Sequence, residues 1–344
     1  MLQNVTRGVA MAYSYGDPRR YSKGAVTRAG NAVAAGKPSP EDIAIINNWR
    51  NSHAYVLNTF QATLRSYIRK GRADVTFAQR LKRLTTIVDK LRSGRAKDLA
   101  SMHDLAGCRL IFSSIADLNE FRERFHTTRA RHERIDANRY DYIVEPKATG
   151  YRGVHEVYKY QATTHGGAIY NNLKIELQFR TRVQHAWATA VEISDLLDGA
   201  RIKFDQGVNP KRERIFALAA EIIAREKEDL VGCLPDLSDA KLRDEFRKLE
   251  RELNVISTLH AARKSDVVIP ARKHIVLRIH QGDLAARGFT EAKEAIVYRD
   301  AIEKDNPDDD VVYVTAQTPR AIADAFRNYF RDAADFVDLV NKAL

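Results

Sequence analysis

Leu173-Lys174-Ile175-Glu176-Leu177-Gln178-Phe179-Arg180 alternates apolar and polar side chains without a break. Successive side chains of a strand point to opposite faces. The run therefore predicts a half-exposed strand, with Ile175, Leu177 and Phe179 on a core face and Glu176 and Gln178 together on the other. Working outward, Cys108–Phe112 reads as a short buried strand with Asp104 directly before it. Asp141–Val144 and Val154–Tyr160 are β-prone. Helices are expected from Pro40, where Glu41 and Asp42 place acids in the first turn, and over Ile115–Phe125 and Val183–Leu197. Phe77–Leu91 reads as another helix, basic on one side. Residues 210–262 hold two more, broken near Gly232-Cys233-Leu234-Pro235. The expected fold is α/β (α+β), a mixed β-sheet flanked by helices.

Three regions are expected. Residues 1–40, rich in Gly, Arg, Ser and Ala, read as a loose lead-in. Residues 41–262 form the main domain. Residues 263–344 form a small βα domain behind a linker at 263–273, with strands at His274–His280 and Val311–Val314, a helix over Thr290–Lys304, and further helix after Thr318.

The chain has 344 residues and a formal net charge of +11. Residues 256–344 carry 13 basic and 14 acidic side chains, so the excess lies wholly in the first 255, which hold 43 basic against 31 acidic. Such a field favours polyanionic partners: nucleotide phosphates, nucleic acid or acidic surfaces. No run approaches the roughly 18 apolar residues of a membrane span, and no apolar signal core opens the chain. Two cysteines, Cys108 and Cys233, make neither a disulfide framework nor a zinc site; a cytoplasmic location is expected. Gly30 and Gly36-Lys37 are misspaced for a phosphate loop, and Pro38 stands where Ser or Thr is needed.

The chemistry-bearing positions are polar residues on otherwise apolar elements. Asp104 and Glu176, at strand-borne positions, are suited to Mg²⁺, which takes oxygen ligands; the same spacing fits two solvent-facing acids. Lys147-Ala148-Thr149-Gly150-Tyr151-Arg152-Gly153-Val154-His155 offers a glycine-flanked loop with cations, a histidine and a tyrosine that is either a base-stacking platform or a core residue beside a turn. Arg80, Lys82, Arg83 and Lys90 make a basic cluster or a solvated helix face. Arg122, Arg124, Arg129, Arg131 and Arg134 are candidate phosphate contacts.

These motifs resemble the RelA/SpoT alarmone synthetases. Arg80-Leu-Lys82…Thr86-Ile87…Lys90 is similar to their ATP motif, Asp104…Arg109 to their Asp-x-x-x-x-Arg strand, Lys147…Gly150-Tyr151-Arg152-Gly-Val-His155 to their G-loop, and Glu176-Leu-Gln178-Phe-Arg180-Thr181 to their Glu-x-Gln-x-Arg-Thr strand. The resemblance implies a nucleotidyltransferase-like pyrophosphokinase in which ATP gives its β,γ-pyrophosphate to a 3′-hydroxyl. Arg80, Lys82, Thr86, Lys90 and Arg109 would bind ATP, Asp104 and Glu176 would be catalytic and hold Mg²⁺, and Lys147, Tyr151, His155 and Gln178 would bind the acceptor. Thr149 stands where the family usually has Asn beside guanine. The stretch before Arg80 is too short for the hydrolase domain of the long enzymes, so hydrolysis is not expected. Gln184-His185-Ala-Trp187-Ala188 looks most like the toxic small synthetases, some of which modify the tRNA 3′ CCA end and carry a fused antitoxin of the CapRel type, released by a phage protein. The expected acceptor is therefore tRNA, with GDP or GTP as the alternative. Phe326 and Tyr329 would be autoinhibitory, covering an adenine subsite, or would pack the small domain's core.

Overall fold

The computed structural model describes residues 15–71, 74–127, 131–198, 210–256, 259, 270, 272, 274–280, 283–306, 309–315 and 335–344. Helix α1 (Lys23–Ala34) precedes the long α2 (Pro40–Gly71). Ser39 and Asp42 cap the start of α2 reciprocally: the Asp42 amide donates to Ser39 Oγ and the Ser39 amide to Asp42 Oδ2. Next come β1 (Thr76–Leu81), α3 (Leu84–Arg92), β2 (Ala106–Phe112) and α4 (Ile115–His126). Strands β3 (Glu133–Ile135) and β4 (Val154–Lys159) lead to a single helical turn, α5 (His165–Ala168), and then β5 (Lys174–Thr181). Helices α6 (Arg182–Asp198), α7 (Pro210–Glu228) and α8 (Asp239–Leu253) follow.

The five strands form one mixed sheet in the order β1-β2-β5-β4-β3. Only the β2–β5 pair is parallel; the others are antiparallel. Cys108, Leu110, Phe112, Ile175, Leu177 and Phe179 alternate into a core shared with Phe60 and Leu64 of α2 and Phe121 of α4. The opposite face of the same strands is left for polar side chains, as the alternation at 173–180 requires.

A second core gathers Tyr151, Trp187, Ile215, Phe216, Leu242 and Phe246. The helix at 335–343 completes it: Phe336 stacks on Phe216 at 6.0 Å, and Phe336, Val337 and Val340 are buried there. A separate antiparallel sheet, β7-β6-β8, joins β6 (His274–His280), β7 (Asp283–Phe289) and β8 (Asp310–Thr315). Helix α9 (Ala292–Asp305) buries Ala295 and Ile302 with Val276 and Val311 of this sheet.

Several expectations are corrected. The lead-in contains α1, whose Val26, Ala29 and Val33 are buried in the main core. Phe77–Leu91 is not one helix. Phe77, Leu81 and Leu84 satisfy a helical period, but Thr76–Leu81 also alternates, and pairing with β2 decides for a strand, helix resuming only at Leu84. Asp141–Val144 is a turn that opens on a single bridge between Asp141 and Val154, because Asp141 Oδ1 accepts the amides of Ile143 and Val144 and stops the pairing there. The small domain is ββαβ rather than βαβα: β7, with Ala285, Ala286 and Gly288, is poor in strand-forming side chains before Phe289 and owes its order to pairing with β6. The final helix packs with α7 and α8 instead of with that small sheet.

Candidate active site

Strand register builds the polar face. Arg80, Gly107, Glu176 and Val157 lie in one cross-strand row, and Ala78, Arg109, Gln178 and His155 in the next. Gly107 leaves the middle of the first row without a side chain. Lys82 follows β1 directly, and Lys90 lies on α3 one turn beyond Thr86. Both ammonium groups reach the same atom, Asp104 Oδ2, at 2.8 and 2.9 Å. Burial pushes the Asp104 carboxyl up and Glu176 adds to this, yet Lys82 and Lys90 together carry it below its ordinary value. Burial likewise lowers the Lys82 ammonium, against the pull of Asp104.

Glu176 is held from two sides. His155 Nδ1 donates to Oε1 at 2.8 Å, and Gln178 Nε2 donates to Oε2 at 2.7 Å. Burial works against the carboxylate, but His155 and Gln178 hold it well below the usual range. His155 Nε2 meets the Tyr151 hydroxyl at 2.5 Å, and Arg180 donates to that hydroxyl at 2.8 Å. Burial alone would lower the His155 imidazole; Tyr151 and Glu176 raise it above its ordinary value. Arg109 Nε lies 3.4 Å from Gln178 Oε1, and burial, with Arg180 nearby, lowers its guanidinium to about 10. Lys147 sits over the rings of Tyr142 and Tyr151 at 4.4 and 5.3 Å.

The structure thus brings together Lys82, Lys90, Asp104, Arg109, Tyr151, His155, Glu176 and Gln178, with Arg80 exposed at the edge. Asp104 and Glu176 are not solvent-facing acids: each side chain is 16% exposed. Tyr151 is not displayed by its glycines. It is 7% exposed, with Arg180 over its ring at 5.0 Å and Trp187 edge-on. Gly150, at φ +92°, fixes this path; a Cβ there would lie 2.6 Å from Ala220 Cβ on α7. Phe326 and Tyr329 lie outside the described residues.

The arginine surface is also corrected. Arg122 pairs with Glu156 and Asp141, and Arg134 with Glu156, which also accepts from His126 and Tyr158. Glu156 points to the core face of the sheet, away from the site, so these cations are spent internally. Arg129 lies outside the described residues.

Two residues have no role in the sequence reading. Arg180 holds Tyr151, although its position in the alternating strand was legible. Glu228, at the end of α7, forms a buried ion pair with Arg152 and has no sequence signal of its own. The Thr181-x-x-Gln184 capping box that reaches it is legible: the Gln184 amide donates to Thr181 Oγ1 and the Thr181 amide to Gln184 Oε1.

Residues 79–194 match the region found in RelA / SpoT proteins. The GTP pyrophosphokinase YjbM of Bacillus subtilis (strain 168) is 31% identical over 164 residues, which cover 47% of this chain and 72% of that protein. Among solved structures, small alarmone synthetase 2 from Bacillus subtilis aligns at 22% identity and TM-score 0.43, over 51% of this chain and 90% of that one. Small alarmone synthetase 1 from Bacillus subtilis, bound to its product pppGpp, aligns at 20% identity and TM-score 0.43, over 59% and 94%. The chain belongs to the RelA/SpoT family of pyrophosphokinases. Among the described residues no helix is long and apolar enough to cross a membrane, and no three His, Cys, Asp or Glu side chains gather as a metal cage.

Proposed function

We propose that this chain transfers the β,γ-pyrophosphate of ATP to the 3′-hydroxyl of GDP or GTP, as a small alarmone synthetase. The observation that carries the reading is the pair of ionised carboxylates, Asp104 and Glu176, set among Lys82, Lys90, Arg80 and Arg109 on one sheet face. In-line transfer of a phosphoryl group needs positioning and neutralised charge, and this face supplies both. Arg80, Lys82, Thr86 and Arg109 hold ATP, and Lys90 reaches its phosphates. Lys147, His155 and Gln178 receive the acceptor, and Tyr151, buried beneath Arg180, holds His155 through its hydroxyl. Glu176, kept ionised, is placed to accept the hydrogen bond of the attacking hydroxyl.

Asp104 and Glu176 fit Mg²⁺. Asp104 Oδ1 is buried without a hydrogen-bond partner, and a pair of carboxylates suits a hard cation that keeps several waters. Bound there, Mg²⁺ supplies charge neutralisation on the transferring phosphates. The basic side chains already at Asp104 carry the remaining charge.

A second reading takes the tRNA 3′ end as acceptor, in a phage-defence toxin restrained by its C-terminal segment and released by a phage protein. The net +12 of the first 255 residues favours it. Internal pairing of Arg122 and Arg134 weighs against a broad phosphate-binding surface. Incubation with γ-³²P-ATP and GDP, GTP or bulk tRNA separates the readings. Label is expected on GDP or GTP; label on tRNA alone would favour the second reading's acceptor, and label on none would refute both.

A further inference from the structure

We infer that Glu228, at the far end of α7, is a positioning residue for the acceptor loop. Its carboxylate stands where three separate parts of the site converge. Oε2 pairs with the Arg152 guanidinium, which sits between Tyr151 and Gly153 in the loop. Oε1 accepts from Thr181 Oγ1 at 2.5 Å, at the end of the strand that carries Glu176 and Gln178. Oε1 also accepts from Gln184 Nε2 at 3.1 Å, in the first turn of α6. The Arg152 and Glu228 side chains are each only 4% exposed.

An anion at the last residue of a helix lies at the negative end of its dipole and is unfavourable there. Burial adds a desolvation cost. Three donors from three elements offset both, and none of them belongs to α7. The carboxylate therefore ties α7 to the loop and to the strand. The same helix meets the loop again through Ala217 and Ala220, which close on Gly150, and Phe216 O accepts from Trp187 Nε1 at 2.8 Å beside Tyr151. Tyr151 and His155 thus stand on a loop fixed from behind at two points, whereas Arg80, Lys82, Thr86 and Lys90 of the ATP side, on or beside β1 and α3, share neither. Loss of the Glu228 charge loosens acceptor binding and leaves ATP binding in place.

This inference rests on reading Lys147–His155 as the acceptor side. The test uses the full chain with ATP and whichever of GDP, GTP or bulk tRNA the wild type labels. In Glu228→Gln, the Michaelis constant for the acceptor is expected to rise about tenfold and that for ATP to change less than about twofold. Hydrogen exchange in residues 147–153 is expected to quicken about fivefold, with residues 84–92 unchanged. Thr181→Val, which keeps the shape but removes one donor to Glu228 and the Oγ1 cap on the Gln184 amide, is expected to move the acceptor constant alone by about threefold. The inference is overturned if both Michaelis constants rise together, or if exchange at 147–153 is unaltered in both variants. If the wild type labels no acceptor, the functional reading fails, while the exchange measurement still decides the clamp.

Discussion

His155 and Glu176 lie on adjacent antiparallel strands, and the imidazole Nδ1 reaches the carboxylate at 2.8 Å across one step of register. His155 pairs in the ladder with Gln178, so its ring lies diagonal to Glu176, within reach of a long side chain. The contact joins the motif of the acceptor loop to that of the catalytic strand. It exists only because β4 and β5 pair in this register; a one-residue slip would turn one of the two side chains toward the core.

Lys82→Met should lower the transfer rate by about 100-fold, because it removes one preorganised charge from Asp104 and from the phosphates beside it. The fold should persist, since Lys90 still pairs with Asp104 at 2.9 Å. Initial rates with labelled ATP, alongside a thermal melt, check both statements.

Gly150→Ala should cost about 2–4 kcal/mol, the sum of a strained φ and an overpacked contact with Ala220. Gly166→Ala is the control, because nothing lies within 4 Å of the added methyl. Urea unfolding of the two variants should separate them clearly; equal midpoints would contradict the packing of the loop on α7.

His53 sets an acid limit on stability. It is buried in α2, where Nδ1 donates to Trp49 O at 2.8 Å, and burial lowers its imidazole from 6.5 to about 4. Between those values the unfolded chain binds the extra proton, so stability rises with pH across that window and falls as pH drops through it. The His53 contribution should be about 2 kcal/mol smaller at pH 5 than at pH 7. His53→Gln should reduce that pH dependence; urea melts at the two pH values show whether it does.

Removing residues 335–344 should destabilise the main body, since Phe336, Val337 and Val340 each bury an apolar side chain worth about 1.5–3 kcal/mol. Arg243 Nε also loses the Ala343 carbonyl it reaches at 2.8 Å. A truncated chain that melts with the whole chain would contradict the packing of the last helix onto α7.

The strands of the site were legible because their alternation is strict. Residues 173–180 place Glu176 and Gln178 on one face from period alone, and the register then sets Arg109 and His155 beside them. Helix starts were legible where the first turn announces them, as at Pro40 with Glu41 and Asp42. The edge strand Thr76–Leu81 was not, because six residues fit both periods and only β2 decides between them. Nor was the spending of Arg122 and Arg134 on Glu156, which depends on which face of β4 that glutamate occupies. The burial of Tyr151 was hidden for a similar reason: its partners Arg180 and Trp187 lie about 30 or more residues along the chain and meet it only after the sheet and α6 have formed.

The central claim is that the polar face around Asp104 and Glu176 transfers pyrophosphate. The direct measurement is transfer of label from γ-³²P-ATP to GDP or GTP by the wild type, Asp104→Asn and Glu176→Gln, each shown folded by its thermal melt. The account predicts labelled acceptor with the wild type and a loss of at least about 1,000-fold in both variants, since each removes a carboxylate charge that would hold the metal. Substantial turnover by either folded variant would contradict it.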